Sequence, residues 1–290
     1  MSFMLHHPTS VDDAVRLARA LGATSRFLAG GTDLVVQINK KREAPEHLID
    51  VTRLDGLAGI RDEGDGFAVG ALTTHKAIER CAALQGPLAA LPEAARVIGG
   101  HQIRNRGTVG GNIVNASPAA DVVVALLALD TEVVLAGPDG TRSLRLEDFL
   151  LGPGATVRRA DELLTAVGFA KLPASSATSF IKAGRRRAME ISVVCVAACL
   201  TLDPRDGTCR DARIALGAVD AVAKRARAAE AMLNGQRPSP EIFAAAGKLA
   251  AQACHPISDV RASARYRIRL VETLTARALA RCAGRIGEAR

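Results

Sequence analysis

The chain has 290 residues, 48% hydrophobic and 23% charged. That is enough for a buried core, points to two domains and excludes a disordered polymer. Aromatic residues make up 3%, with no Trp and one Tyr, so the core must be built of Ala, Val, Leu and Ile, and an aromatic stacking platform for nucleic acid is excluded.

The net charge of +8 fits either an anionic partner or a solvated arginine-rich surface. The densest runs, Lys40-Lys41-Arg42 and Arg185-Arg186-Arg187, are too short to be nucleic-acid-binding tails. None of the six cysteines stands in CxxC spacing, and Cys195 and Cys199 lie in an apolar run, ISVVCVAACLTLD. They are expected to pack as buried thiols, with no iron–sulfur or zinc site on this chain. MSFMLHHPTS is unlike a secretion signal, and no run of about 18 apolar residues occurs. The expectation is a cytoplasmic protein with reduced thiols and no transmembrane segment.

In chain order, Ser10 caps a helix running to Leu21, with Gly22 as its stop. Arg26 to Leu28 reads as a strand entering Ala29-Gly30-Gly31, Asp33 to Ile38 as a strand or the start of a helix, and His47 to Val51 as a buried strand. Together these make a small α/β unit. Phe67 to Leu72 is a strand, Thr73-Thr74 caps a helix from His75 to Ala83, and Pro87 to Val97 is a second helix stopped by Gly99-Gly100. Val122 to Leu129 fits a buried helix. Glu132 to Ala136 and Ser143 to Leu146 form a hairpin about Pro138-Asp139-Gly140, and Leu163 to Phe169 adds a strand. The composition changes at Pro173-Ala174-Ser175-Ser176, read as a domain linker. Strands at Ser179 to Ala183, Ile191 to Leu202 and Asp211 to Val219 follow, then helices at Ala223 to Leu233, Ile242 to Ala253 and Ala262 to Leu279.

The common nucleotide fingerprints GxGxxG and GxxxxGK[ST] are absent, as is the GxSxG elbow. Two Gly-Gly pairs remain, in FLAGGTDL (Phe27 to Leu34) and GTVGGNIVNASPAAD (Gly107 to Asp121). Each follows an apolar run and precedes hydroxyl, amide or acidic residues. Read as two turns with bare N–H groups, they are suited to closing on one diphosphate from two sides.

With these motifs the sequence resembles the FAD-binding medium subunit of the molybdenum hydroxylases, the xanthine dehydrogenase and carbon monoxide dehydrogenase family. GALTTH, DELLTAV, FIKAGRRRAMEISVV and DVRASARYRIRLVETLTARAL extend the likeness over most of the chain. The resemblance implies an α+β protein: a two-part α/β FAD-binding domain of the PCMH type over residues 1–173 (parts near 1–55 and 56–173), then a C-terminal domain, 174–290, with a three-stranded antiparallel sheet and helices. It implies FAD contacts from Phe27, Leu28, Ala29, Gly30, Gly31, Thr32, Asp33 and Leu34, with Thr108, Val109, Gly110, Gly111 and Asn112 closing from the other side. Asp121 is implied to accept from a cofactor hydroxyl, Ile98 and Leu163 or Leu164 to line the adenine or flavin surroundings, Lys182 to lie near the flavin, and Ile191 to pack by its ring.

Two departures from the family pattern stand out: Glu190 replaces an expected Asp, and no Tyr lies near the flavin segment to cover the ring. Asp130 to Asp161 contains no Cys, so the extra cluster of some relatives is not expected. The implied function is electron transfer. The molybdenum cofactor sits on a large partner subunit and two [2Fe-2S] clusters on a small one, in a dimer of heterotrimers, and electrons leave through FAD to NAD⁺, O₂ or another acceptor. The competing readings are a stand-alone FAD oxidoreductase of the vanillyl-alcohol-oxidase type, for which His101 and Tyr266 are the available proton-handling residues, and a scaffold without flavin.

Overall fold

The computed structural model describes residues 3–186 and 188–288. Arg187 of the arginine run lies outside the described residues.

The N-terminal unit is a three-stranded parallel sheet, ordered Met4–His6, His47–Asp50, Ser25–Leu28. Helix Val11–Leu21 buries Ala14, Val15 and Ala18 on one face, and Ser10 caps it by accepting from the Asp13 N–H. Gly22 ends it at φ +57°. The edge strand Met4–His6 carries no alternating apolar pattern and is set by its pairing with His47–Asp50. Asp33 to Ile38, left open between strand and helix, is helical: Leu34–Asn39.

The middle unit is a five-stranded antiparallel sheet. Its order is Ile60–Asp62, Gly66–Gly70, Leu163–Ala170, Glu132–Gly137, Gly140–Arg145. The hairpin expected about Pro138-Asp139 is present, with Gly137 opposite Gly140; its second strand ends at Arg145, and Leu146–Phe149 turns helical. Helix Asp121–Ala128 is buried at every position, as the unbroken apolar run from Val122 requires. Leu163 and Ala136 of this sheet pack into the core of the first unit, so the two parts share a hydrophobic seam.

The C-terminal unit is an antiparallel sheet ordered Ser176–Ala183, Val194–Leu202, Cys209–Gly217, Lys224–Arg225. Three helices, Arg227–Leu233, Pro240–Gln252 and Ala264–Glu288, share its second core. The expected three strands are present, and a two-residue fourth is added where a helix start was expected. Arg225 is drawn into the interior by Glu230 and by Asp130 of the middle unit, which holds Lys224-Arg225 extended and delays the helix to Arg227.

Val194–Leu202 is buried along its whole length. Cys195 and Ala197 face the middle unit, while Val196, Ala198, Leu200 and Leu202 face the C-terminal helices. A strand covered on both faces has no need of polar alternation. Cys195 and Cys199 are free and fully buried, and burial pushes the Cys199 thiol up to about 12.

A candidate FAD site between the first two units

A cleft of about 600 Å³ opens where the two N-terminal units meet, within the size range of cofactor pockets. The Ser25–Leu28 strand delivers Ala29 to Asp33 to one wall. Gly31 has φ +72°, a conformation open to glycine at little cost. Gly30 is constrained differently, since a methyl group there would overlap the Arg106 carbonyl. The glycine pair thus lets the first unit's loop lie directly on the backbone of the second. The N–H groups of Gly30, Gly31, Thr32 and Asp33 have no partner among the described residues. Four adjacent bare donors form an anion-holding concavity.

The second glycine pair behaves differently. Gly110 and Gly111 lie inside a short helix, Val109–Val114, capped by Thr108. Its N–H groups are all used: Val109 donates to the Thr73 carbonyl, Gly110 to that of Ala71, Gly111 to Thr108 Oγ1 and Asn112 to the Thr108 carbonyl. The expectation of two turns with bare N–H groups is therefore corrected. The second segment offers surface and side chains, not backbone donors. The physical reason is packing: a methyl group on Gly110 would stand 2.7 Å from the Ala71 Cβ, so glycine is needed there for close helix–strand approach.

Polar side chains complete the walls. Arg158 lies over the Phe27 ring, 5.9 Å from its centroid. Glu162 is bound by Arg142 at 2.7 Å and by the Arg159 N–H at 2.7 Å, and Arg142 leads in holding its carboxyl down to about 2. Burial raises the Asp33 carboxyl above its usual range. Asn112 Oδ1 and His75 Nδ1 are buried without a hydrogen-bond partner among the described residues. Among the described residues no group of three or more His, Cys, Asp and Glu side chains is placed to hold a metal ion.

The profile described as the FAD binding domain in molybdopterin dehydrogenase matches residues 1–172, and that of the CO dehydrogenase flavoprotein C-terminal domain matches 179–282. The chain belongs to the FAD-binding medium subunits of the molybdenum hydroxylases. It is 35% identical to the 6-hydroxypseudooxynicotine dehydrogenase complex subunit alpha of Paenarthrobacter nicotinovorans, over 94% of this chain and 91% of that one. It is 32% identical to the carbon monoxide dehydrogenase medium chain of Hydrogenophaga pseudoflava, over 97% and 98%. A solved structure of the Hydrogenophaga pseudoflava carbon monoxide dehydrogenase lacking the Mo-pyranopterin moiety of its cofactor superposes with a TM-score of 0.94 at 33% identity, covering 98% of each chain. As a medium subunit of an oxidoreductase, the chain has FAD as its cofactor.

The cleft residues fit that group. Bare N–H donors suit a diphosphate, the unpartnered Asn112 Oδ1 suits a hydroxyl or amide donor, and Ile98, Leu163 and Leu164 supply apolar wall. Of the residues named from sequence, the structure gathers Phe27, Ala29, Gly30, Gly31, Thr32, Asp33, Leu34, Ile98, Thr108, Gly110, Gly111, Asn112, Leu163 and Leu164 along it. Leu28, Val109, Asp121, Lys182 and Ile191 are not in its lining. Asp121 sits behind the wall, accepting from Lys182 Nζ at 2.7 Å and Ser192 Oγ at 2.5 Å. Lys182 also donates to the Val97 carbonyl, one residue from Ile98. Ile191 is exposed.

Sequence reading missed His75, Arg26, Arg158 and Glu162, which line the cleft. GALTTH contains His75 and DELLTAV contains Glu162, but a lone His, Arg or Glu carries no local signal of its surroundings. His101, offered for a stand-alone enzyme, is exposed, and Tyr266 is half exposed on the C-terminal helix; neither lines the cleft. No helix among the described residues is long and apolar enough to cross a membrane.

Proposed function

We propose that this chain is the electron-exit subunit of a larger assembly and that the cleft at Gly30–Asp33 holds its FAD. The observation that carries the placement is the row of four unpartnered N–H groups in a cleft that also buries an unpartnered Asn112 oxygen. Bound there, FAD supplies the exchange between one-electron delivery and two-electron release. The chain's own residues bind and orient it. Gly30 to Asp33 offer the diphosphate their N–H groups, and Asn112 takes a donor from the opposite side. Ile98, Leu163 and Leu164 exclude water, and Asp121 with Lys182 supports the Val97-Ile98 wall beside the ring system.

The assembly reading draws on the relatives. One is a subunit of a dehydrogenase complex, another a medium chain, and the solved enzyme is described by its molybdenum cofactor. By analogy the substrate is oxidised at a molybdenum cofactor on a large partner, and electrons arrive through [2Fe-2S] clusters of a small one. The complex is a dimer of heterotrimers, and NAD⁺, O₂ or another small acceptor takes the electrons. The surplus of basic residues favours association with an acidic partner face or an anionic acceptor.

The test is purification of the natively expressed chain with a visible spectrum and metal analysis of what comes with it. The expected outcome is flavin absorbance, two co-purifying subunits, molybdenum and iron. A yellow protein that comes alone and turns over a small substrate by itself would overturn the assembly reading.

A further inference from the structure

One buried side chain of the cleft is left unexplained by the fold. His75 opens the helix His75–Arg80, whose N-cap is Thr74, and the residue is 2% exposed. Neither ring nitrogen has a partner among the described residues, and Nδ1 is wholly out of solvent. Buried polar atoms are nearly always paired, so an orphan calls for a reason. The His75 backbone is committed, its N–H donating to the Gly107 carbonyl at 3.0 Å. The ring is held against Gly107, where an added methyl group would stand 3.1 Å from its Cδ2. Gly30 packs on the carbonyl of the residue before, Arg106. His75 therefore stands across a single backbone layer from the first glycine turn, and it lines the same cleft.

A histidine that merely filled space would need no ring nitrogen. Leu or Met fills such a volume without leaving a polar atom unpaired, and an unmade hydrogen bond in the interior is destabilising. The cost is recovered when a ligand supplies the partner.

We infer that His75 is a cofactor-positioning residue of this subunit, its imidazole hydrogen-bonding the diphosphate end of FAD beside Gly30–Asp33. The inference rests on the cleft being the FAD site. The ring acts as a neutral hydrogen-bonding group: burial, with help from the nearby Arg104 charge, pushes its pKa down to about 4. Arg104 is itself paired with Glu79. The neutral ring carries one proton, which goes to the nitrogen that meets the phosphate oxygen. Its place beside the glycine turn assigns it to the half of the cofactor that ADP shares.

The experiment uses the full chain stripped of flavin. The dissociation constants of FAD, ADP and riboflavin are measured by titration, and the thermal midpoint of the ligand-free protein is recorded alongside. His75→Leu fills the space without a ring nitrogen, His75→Gln keeps a hydrogen-bonding group, and Asn112→Leu serves as a second cleft variant. Loss of one hydrogen bond predicts that His75→Leu weakens FAD and ADP by a similar factor, roughly five- to tenfold. Riboflavin is expected to change little, the ligand-free midpoint to hold or rise, and His75→Gln to bind FAD within about twofold of the parent. Unchanged FAD and ADP affinity in His75→Leu, with Asn112→Leu weakened, would overturn the role of His75 and leave the cleft standing. Unchanged affinity in both variants would overturn the cleft reading and this inference together. A lowered ligand-free midpoint with unchanged affinity would show His75 to be structural only. Should His75→Leu fail to fold, His75→Gln carries the test through His75→Phe as its apolar counterpart.

Discussion

At the residue scale, Glu162 shows how the cleft rim is held. Its side chain is 1% exposed, and it accepts from Arg142 Nε at 2.7 Å and Nη2 at 2.9 Å. Its folded pKa of about 2 lies below the usual value of 4.5. A depressed carboxylate contributes stability that is fully present above the unfolded pKa and is lost as pH falls through the folded one. The window is therefore about pH 4.5 down to about 2. Because Arg142 is partly solvated, the contribution at pH 7 is expected to be about 2 kcal/mol. Glu162→Gln should lose about that much at pH 7 and show a shallower stability loss across the same window. Chemical denaturation at pH 7, 4.5 and 3 checks it, and parallel pH curves for parent and variant would refute it.

At the element scale, the strand Ser176–Ala183 fixes how the C-terminal unit meets the FAD-binding domain. Every second residue reaches the same neighbour. Thr178 Oγ1 donates to the Pro87 carbonyl at 2.7 Å and accepts from the Ala90 N–H at 3.0 Å. The Phe180 N–H donates to Glu93 at 2.8 Å, and Lys182 reaches Val97 and Asp121. The period of two along the strand is thus matched to the segment Pro87 to Val97, which contains the helix Ala90–Arg96. Arg285 of the last helix also pairs with Glu93. Thr178→Val keeps the shape but leaves a buried donor and acceptor unpaired, an expected loss of about 1–3 kcal/mol. The midpoint of thermal unfolding should fall by several degrees. FAD affinity should stay unchanged, because Thr178 is outside the cleft; a parallel loss of affinity would contradict this division.

At the scale of the whole molecule, the buried pair Lys182–Asp121 joins the C-terminal sheet to the helix Asp121–Ala128 and, through Val97, to the cleft wall. Burial pushes the Asp121 carboxyl up while Lys182 pulls it down, and burial prevails. Breaking such a pair by removing one partner costs about 3–5 kcal/mol, whereas removing both can be nearly neutral. Lys182→Met and Asp121→Asn should each be strongly destabilising, and the double variant less so than their sum. Unfolding measurements on the four proteins give the coupling directly, and additive losses would show that the two side chains act independently.

Much of this was legible in the chain. The Ser10 and Thr74 caps, the Gly22 stop, the Pro138-Asp139 hairpin and the left-handed turn at Gly31 act through atoms a few residues apart, so local chemistry specifies them. The unbroken apolar run at Val122 to Leu129 announced a buried helix, the apolar setting of Cys195 and Cys199 announced buried thiols, and the paired glycine motifs carried the family. What only the tertiary structure decided lies between segments distant in sequence. Gly110 must be glycine because Ala71 stands against it, and its N–H is taken by the Ala71 carbonyl. Lys224-Arg225 is strand because Asp130 and Glu230 hold Arg225. His75, Arg158 and Glu162 reach the cleft because two units close on each other. Capping and turn formation are short-range interactions written in neighbouring residues, whereas burial and pairing across a fold depend on which surfaces meet, and that is settled only when the units pack.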